Sequence, residues 1–496
     1  MDFLKKRVFF FGLLGFVIAI NLYILSFKTG LWWDEGVYIG ISKYIWSFGN
    51  AGYFEVIRPP VLPIIIGAFW FLGANPIIAG KAIILLFFIG LLFLTYEIGR
   101  NLWDRFTGFY SALLLASTPF IYSYSTKILS GIPAAFFALL GIYIYLSNKK
   151  PKALFFCGVA LGLSFLMRFP GGIAFGVLAL FVFLHNIKNI KLMLKNGVAL
   201  FSGFSLIVAP YIIYNFYAYG NALLPFFAAS RIIDATAWFH KSGVFFYTIE
   251  LFYHNPFFIF LVFGIAYMLY QKSIQKMHIL IGFMFLAYFS YFSFFLEAKE
   301  LRFSLIFLPY VALIASLGMN RLLKAMSVLI YQTDAIKKLK TSNAKNVFTV
   351  LFIAISFMTV SFGFVTLTSS HLRWLEDPQT QDPYNEFLLF VENHSTNASI
   401  LTSNPTIAAY TDSRVSYLRG WVAADEIYTR EKDISSTLII DTCALDCAPD
   451  DFICHESKDK FIAKTKKENT ELFSTTANIT GRLCTYSVYE INDFEG

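Results

Sequence analysis

The sequence predicts a polytopic all-α membrane protein with about eleven transmembrane helices, followed by a small extracytoplasmic α/β domain. Three observations carry this prediction. First, the 496 residues are 57% hydrophobic and only 15% charged, whereas soluble globular domains are roughly 25% charged. Second, the apolar residues form runs long enough to cross a hydrocarbon core about 30 Å thick. Third, residues 1–369 carry 29 basic and 11 acidic residues, while residues 370–496 carry 11 and 21, which places the domain boundary between 369 and 370.

The predicted spans fill most of the N-terminal part. A crossing takes about 20 helical residues, and several runs are shorter, so 153–167 and 170–185 could also form one broken hairpin. A further apolar run at 61–72 has 12 residues and follows a double proline, which favours an interfacial or re-entrant segment. The eleven predicted spans are residues 8–27, 77–98, 106–124, 132–147, 153–167, 170–185, 198–217, 256–270, 278–296, 303–319 and 347–368.

Basic residues concentrate on alternate connections between the spans. If Lys5, Lys6 and Arg7 are cytoplasmic, the N-terminus and the connections on its side carry 19 Lys and Arg, and the opposite short loops carry 10. Positive charge marks cytoplasmic loops, and an odd number of spans then places the C-terminal domain outside. We therefore expect a multi-pass plasma-membrane protein whose first helix is retained, because no small-residue cleavage site follows it. This topology explains the net charge of +8 without a nucleic-acid partner.

Residues 370–496 alternate short β-like runs with helix-compatible stretches, which predicts a small α/β domain. The β-like runs are 399–402, 437–440 and 483–488, and the helix-compatible stretches are 384–393 and 459–469.

The C-terminal domain has four of the five cysteines, Cys443, Cys447, Cys454 and Cys484. Disulfides form in oxidising compartments, and four cysteines allow three pairings. Zinc binding is the competing interpretation. The spacing lacks the C-x₂-C pairs usual for zinc, which favours two disulfides, and Cys157 within a span is expected to be a small core residue.

An acidic pair follows the first span directly, in Trp32-Trp-Asp34-Glu35. It opens the first outer loop, residues 28–76, which continues with an amphipathic stretch at 39–48. Carboxylates at the membrane surface beside interfacial tryptophans can serve as a general base. The alternative is that Asp34 and Glu35 cap the following helix, and the two roles are compatible.

Further charged residues lie on the same predicted face of the membrane. Arg168 stands alone between two apolar runs, and Lys299, Glu300 and Arg302 precede the tenth span. Taken singly, such residues can be ordinary interfacial anchors. Taken together beside a carboxylate, and with Arg58 of the first outer loop, they would form a phosphate pocket that stabilises a phosphate leaving group.

These residues and their order resemble the GT-C superfamily of polyprenyl-phosphate-sugar glycosyltransferases, in particular the protein O-mannosyltransferases and the aminoarabinose transferases. The resemblance covers residues 1–320 in order. It runs through Trp33-Asp34-Glu35-x-x-Tyr38, Arg58-Pro59-Pro60, Phe71-Leu-Gly-Ala-Asn75, Met167-Arg168 and Lys299-Glu300-x-Arg302-Phe303.

The resemblance implies a catalytic transmembrane domain at 1–369 and a set of site residues. Asp34 and Glu35 would be catalytic, with Asp34 as the general base. The reaction would be attack on the anomeric carbon with inversion, because one base and a phosphate leaving group make a covalent sugar–enzyme intermediate unnecessary. The substrate-binding residues would be Arg58, Arg168, Lys299, Glu300, Arg302 and Tyr38.

The implied partners are a polyprenyl-phosphate-linked sugar donor, an extracytoplasmic acceptor (protein, lipid or glycan) and the bilayer. One departure concerns the second outer loop, which has Ser130 and Gly131 where relatives have an acidic residue, so metal dependence stays open and no metal is assigned. The alternative function is a transporter or flippase of lipid-linked sugars, since basic clusters also bind lipid phosphates. Transporters more typically carry polar residues at the bilayer midplane, whereas here the charges gather at one face.

Overall fold

The computed structural model describes residues 8–26, 30–235, 241–270, 276–332, 344–374, 382–394, 399–445, 447–448, 450–479 and 482–492. The basic residues 5–7 used to orient the chain lie outside this set. The helices are α1 Val8–Leu25, α2 Trp33–Trp46, α3 Val61–Phe71, α4 Pro76–Leu102, α5 Arg105–Ala116, α6 Pro119–Ser125, α7 Gly131–Ser147, α8 Pro151–Met167, α9 Gly172–Asn186, α10 Ile190–Tyr219, α11 Leu224–Ala235, α12 Phe246–His254, α13 Phe260–Tyr270, α14 Lys276–Ser290, α15 Leu301–Ser304, α16 Leu308–Gln332, α17 Ala344–Trp374, α18 Asp382–His394, α19 Trp421–Glu431 and α20 Phe452–Glu468. The strands are β1 Ser399–Thr402, β2 Val415–Tyr417, β3 Ser435–Asp441, β4 Thr470–Ile479 and β5 Arg482–Glu490.

The chain is a mostly helical, multi-pass membrane protein with a C-terminal α/β domain, as predicted. Each of the eleven predicted spans falls on one or two helices, although the number eleven itself stays a prediction. Shorter apolar helices of 10–17 residues also occur. By length and composition, six helical segments of the described chain can cross a membrane: Val8–Leu25, Pro76–Leu102, Phe169–Asn186, Ile190–Tyr219, Met277–Phe295 and Leu308–Ile330.

The predicted span at 106–124 is interrupted. Thr118 has an extended backbone and Pro119 starts the next helix, because proline has no N–H to donate to the preceding turn. The Leu114 carbonyl at the break accepts the Thr118 hydroxyl at 2.8 Å and the Asn255 side-chain amide at 3.3 Å. The break is therefore satisfied by side chains, as buried polar groups require.

The segment after α1 folds into two helices, α2 and α3. The helix α2 begins at Trp33, before the amphipathic stretch 39–48, so Asp34 and Glu35 lie in its first turn. The helix α3 has 11 residues, a length of about 16 Å at 1.5 Å per residue. It is too short to cross the bilayer, in keeping with an interfacial or re-entrant segment.

The C-terminal domain is built on a five-stranded mixed sheet with the order β2-β1-β3-β5-β4. Strands β2, β1 and β3 are parallel neighbours, and β3, β5 and β4 pair antiparallel. Successive residues of a strand face opposite sides, so Leu401 and Leu438 pack against α19 and α20, whereas Ile400 and Ile439 face the other side. The predicted β-like runs all fall on strands, while β2, β4 and α19 have no counterpart in the sequence prediction.

The second face of the sheet is covered by α18 and also by α2, from the other end of the chain. Val37 and Ile41 of α2 share one apolar core with Phe387 of α18 and with Ile400 and Ile439 of the sheet. Fully burying one such side chain contributes about 1.5–3 kcal/mol. The helix α2 and the C-terminal domain therefore form one packed unit, although the chain order assigns them to different predicted domains.

The four cysteines of the C-terminal domain form two disulfides. Cys443 is bonded to Cys484 and Cys447 to Cys454, which is one of the three pairings that the sequence allows. These bonds leave none of the four sulfurs as a thiolate for zinc. Cys157 is buried, and its thiol points to the Gly141 carbonyl at 3.0 Å, as expected of a small core residue.

Candidate active site

The two acidic residues in the first turn of α2 have different surroundings. Both carboxylate oxygens of Glu35 accept backbone N–H groups, one from Trp32 and one from Ile128, each at 2.9 Å. Glu35 therefore caps α2 and ties it to the loop 127–130. Glu35 thus makes the capping contacts that the sequence left as an alternative, and its catalytic role stays a prediction.

Asp34 contacts guanidinium groups instead of backbone amides. Arg58 Nη2 donates to Asp34 Oδ1 at 2.6 Å, and Arg302 Nη1 donates to Oδ2. Each arginine has a second acidic partner, since Arg58 Nε donates to Glu55 at 2.8 Å and Arg302 Nη2 to Glu300 at 2.7 Å. The result is a row of alternating charges, with Asp34 at its centre, that we call the Asp34 cluster.

The electrostatics of the two acids follow from these partners. Burial alone would raise the pKa of Asp34, but Arg58 and Arg302 hold it well below its usual value. Burial raises the pKa of Glu35, and the N–H groups of Ile128 and Trp32 offset only part of that rise. Asp34 is therefore a carboxylate throughout the physiological pH range, balanced by cations.

Arg168 lies beside this cluster with little to satisfy its charge. Burial lowers its pKa and the neighbouring Arg302 lowers it further. Its guanidinium lies 4.7 Å from the centre of the Phe303 ring. Among the described residues, its one hydrogen bond is from Nη1 to the Arg302 carbonyl at 3.3 Å. A half-buried cation without a hydrogen-bonded carboxylate is suited to bind an anion.

Of the remaining predicted residues, Tyr38 and Glu300 contact the arginines of the Asp34 cluster, whereas Lys299 does not. The Tyr38 hydroxyl donates to Ser130 at 2.8 Å, and the Arg58 guanidinium lies 5.7 Å from the Tyr38 ring centre. Lys299 is buried and donates to the Leu296 carbonyl at 2.7 Å, away from the Asp34 cluster. The backbone at Glu300 is extended, so consecutive side chains point in opposite directions, and Glu300 rather than Lys299 faces Arg302.

The structure also shows site residues that the sequence did not single out. Glu55 is one, as the second partner of Arg58. The larger omission is the segment 405–412 of the C-terminal domain, which lies against α2 directly after Asp34 and Glu35. Residues on α2 and residues about 370 positions later have no local pattern that links them, so sequence spacing carries no signal for this contact.

Among the described residues, no group of three or more His, Cys, Asp or Glu side chains is arranged to hold a metal ion. Arginines separate Asp34 from the carboxylates of Glu55 and Glu300. Ser130 and Gly131 stand where the resemblance led us to expect an acidic residue, and a Cβ added to Gly131 would lie 3.3 Å from Arg168 Nη1. We assign no metal to this site.

Comparison with known proteins identifies the fold. Residues 57–214 match the family model for dolichyl-phosphate-mannose-protein mannosyltransferases, and no curated protein matches the chain. The structure resembles ArnT from Cupriavidus metallidurans bound to undecaprenyl phosphate, with 12% identity, 97% of this chain and 98% of that chain covered, and a TM-score of 0.65.

Two other solved structures share the architecture. The oligosaccharyltransferase AglB from Archaeoglobus fulgidus is 12% identical over 99% of this chain and 75% of its own, with a TM-score of 0.61. The arabinofuranosyltransferase AftD from Mycobacteria is 11% identical over 99% and 42%, with a TM-score of 0.52. The predicted resemblance to the GT-C superfamily is confirmed, and the chain has the GT-C fold.

Proposed function

We propose that this chain, a glycosyltransferase of the GT-C fold, moves a sugar from a polyprenyl-phosphate donor to an acceptor outside the cytoplasm. The observation that carries the proposal is the Asp34 carboxylate held between Arg58 and Arg302, with Arg168 beside them and free of a hydrogen-bonded carboxylate. Arg58 and Arg168 both lie within residues 57–214, the part that matches the mannosyltransferase family model.

The side of the membrane follows from two arguments. The excess of basic residues on alternate connections supports a cytoplasmic N-terminus. The two disulfides of the C-terminal domain support an oxidising compartment for that domain. The Asp34 cluster lies next to this domain, so the site would open to the extracytoplasmic side.

The class of donor is supported by the residues and by the similar structures. ArnT is known bound to undecaprenyl phosphate, and AglB with a dolichol-phosphate and an inhibitory peptide. In this chain Arg168 would take the donor phosphate first, because its guanidinium has the fewest competing partners. A phosphate bound there would also accept hydrogen bonds from the guanidinium groups of Arg58 and Arg302.

The chemical step then uses Asp34 as the general base. Asp34 takes the proton of an acceptor hydroxyl or amine, and the acceptor atom forms a bond to the anomeric carbon. The bond from that carbon to the phosphate oxygen breaks, and its electron pair stays on the phosphate. The arginines stabilise the charge that develops there, and the configuration at the anomeric carbon is inverted.

The low pKa of Asp34 in the free site has a consequence for this step. A carboxylate paired with two guanidinium groups is a weak base. When a donor phosphate shares those groups, the pKa of Asp34 rises, and the base gains strength only in the presence of donor. The same arrangement limits the exposure of a strong base to water between turnovers.

The test compares two aspartates near the N-termini of two helices, Asp34 in the first turn of α2 and Asp104 just before α5. In Asp34→Asn the base is removed while size and polarity are kept, and we expect transfer from radiolabelled polyprenyl-phosphate hexoses to membrane acceptors to fall by about 10³-fold or more. Asp104 caps α5 and pairs with Lys324 at 3.0 Å, so Asp104→Asn is the matched control and should change transfer less than about threefold.

Unchanged transfer in Asp34→Asn at matched expression would contradict the proposal. Binding of polyprenyl phosphate should persist in that variant, because Arg168 is intact. The transporter alternative predicts movement of lipid-linked sugar across vesicles with no new glycosidic bond, and the family match gives it no support.

A further inference from the structure

The helix that carries Asp34 is held on one side by the C-terminal domain. Residues 405–409 form a short 3₁₀ helix after β1, and Ile407 and Ala408 pack against Val37 and Ile41 of α2. Residues 410–412 continue along α2. We call residues 405–412 the docking segment.

We propose that the C-terminal domain positions the catalytic carboxylate through the docking segment, and that Asn404 is the positioning residue that fixes this segment to the sheet. The inference rests on the proposed role of Asp34 as general base. It assigns the domain a part in the chemical step, whatever acceptor the enzyme uses.

Asn404 connects the docking segment to the end of β3 by a buried row of hydrogen bonds. The Asn404 side-chain amide donates to Asp441 Oδ2 at 2.8 Å. Its carbonyl oxygen accepts the Thr406 backbone N–H at 3.0 Å and the Thr406 hydroxyl at 2.7 Å. Asp441 Oδ1 in turn accepts the N–H of Cys443 at 2.9 Å, a residue fixed by its disulfide to Cys484.

The row ends against α2 two residues after Asp34. Gly36 lies directly on Thr406, and a Cβ added there would collide with the Thr406 Cα. Because protein interiors are close-packed, two backbone segments in such direct contact cannot move independently of each other. A shift of Thr406 is therefore passed to the turn of α2 that presents Asp34 to its arginines.

A second contact fixes the other end of α2. The Lys43 ammonium is buried, and it donates to the carbonyls of Ala409 at 3.2 Å and Thr411 at 2.8 Å. It also pairs with Asp412 at 2.9 Å. Burying a lysine costs free energy unless its donors are satisfied, and all of its partners among the described residues come from the docking segment. Two fixed points set both the position and the axis of the helix.

The geometry of the Asn404–Asp441 pair allows an exchange of the two side chains. In Asn404→Asp alone, two carboxylates would face each other at hydrogen-bond distance. In Asp441→Asn alone, one amide N–H₂ would be turned towards another donor. In the double variant Asn404→Asp/Asp441→Asn, the carboxylate at 404 accepts from Thr406 and from the amide at 441, whose oxygen accepts from Cys443, so all the bonds are restored.

The experiment measures kcat, donor KM and polyprenyl-phosphate binding of the full-length protein in four variants. Asn404→Leu and Asn404→Asp should lower kcat by roughly 10- to 100-fold, because a displacement of about 1 Å costs that much in a positioned site. Donor KM and lipid-phosphate binding should stay within about threefold, and the exchanged pair should recover most of kcat. The matched control is Asn469→Leu, which removes the buried hydrogen bond to Tyr428 at 3.0 Å on the opposite side of the sheet.

The outcomes separate a positioning role from general loss of stability. If Asn469→Leu lowers kcat as much as Asn404→Leu, or if kcat is unchanged in Asn404→Leu, the inference is overturned. If the exchanged pair does not fold, the comparison of Asn404→Leu with Asn469→Leu decides alone. Normal transfer in Asp34→Asn would remove the proposed function, whereas loss there with normal kcat in Asn404→Leu removes only this inference.

Discussion

Asp34 and Asp104 stand at the starts of two helices separated by the long helix α4, and they differ in what occupies their oxygens. Asp104 accepts the Thr107 backbone N–H at 2.8 Å and the Thr107 hydroxyl at 2.9 Å, with Asn320 and Lys324 completing its shell. Within the part of the chain that the structure describes, Asp34 accepts only from guanidinium groups. A carboxylate that accepts hydrogen bonds from its own helix has a structural role. A carboxylate whose partners are arginine side chains loses those hydrogen bonds when the arginines bind a phosphate instead.

The largest effect is expected when one cation is removed at Asp34, and the matched control removes one cation at Asp104. Arg302→Met should lower transfer by about 10²–10³-fold, the cost of losing one group that stabilises developing charge. Because Arg302 also lowers the pKa of Asp34, the acid limb of the kcat/KM profile against pH should move to higher pH. The control Lys324→Met at Asp104 should leave transfer and the profile nearly unchanged. An unmoved acid limb in Arg302→Met would show that Arg302 does not set the basicity of Asp34.

A smaller effect is expected from giving Arg168, which lies beside the Asp34 cluster, an acidic partner. Gly131→Asp would place a carboxylate beside Arg168, since a Cβ there lies 3.3 Å from Nη1. Arg168 would then form an ion pair, as Lys324 does with Asp104. We expect donor KM to rise about tenfold, one charged hydrogen bond being worth about 1.5–3 kcal/mol. Gly131→Ala separates size from charge. Equal KM values in the two variants would argue against a phosphate-binding role for Arg168.

The smallest effect concerns a third aspartate, Asp441, which is bound by amides instead of cations. Burial raises its pKa to about 6 despite hydrogen bonds from Cys443 and Asn404. The folded domain therefore binds more protons than the unfolded chain, whose aspartates titrate near pH 3.9. Stability should fall as pH rises from about 4 to 6 and then level off, by about 2 kcal/mol in total.

Hydrogen exchange of the β3 and β5 amides measures this stability within the domain. Asp441→Asn should remove the pH-dependent difference, so the wild type should gain on the variant as pH is lowered from 7 to 4.5. A constant difference across that range would mean that Asp441 has an ordinary pKa in the folded domain.

Part of this architecture was predictable because charge is costly within a bilayer. The few charged residues on one membrane face therefore stand out in the sequence, and the structure brings Asp34, Arg58 and Arg302 into direct contact with Arg168 beside them. It was not predictable that Glu35, rather than Asp34, makes the capping contacts. It depends on the Ile128 N–H, which only the packing of the loop 127–130 places within reach.

The contacts made by the C-terminal domain lay beyond sequence reasoning for a different reason. A lysine in an amphipathic helix is normally exposed, so Lys43 gave no sign that it is buried by partners 366 and 368 residues away. The short strand β2 has three residues, too few for an alternating pattern to be recognised. Lys299 was predicted with its neighbours in one motif, but the extended backbone turns it to the opposite side.

The long separation along the chain between α2 and its covering sheet has a consequence for biosynthesis. The helix that carries Asp34 leaves the ribosome before the docking segment that fixes it, because Lys43 and its partners Ala409 and Thr411 are 366 and 368 positions apart. Contacts between such distant residues form late in folding. The nascent protein should therefore enter the membrane with an unassembled Asp34 site, which is completed only after the C-terminal domain has folded.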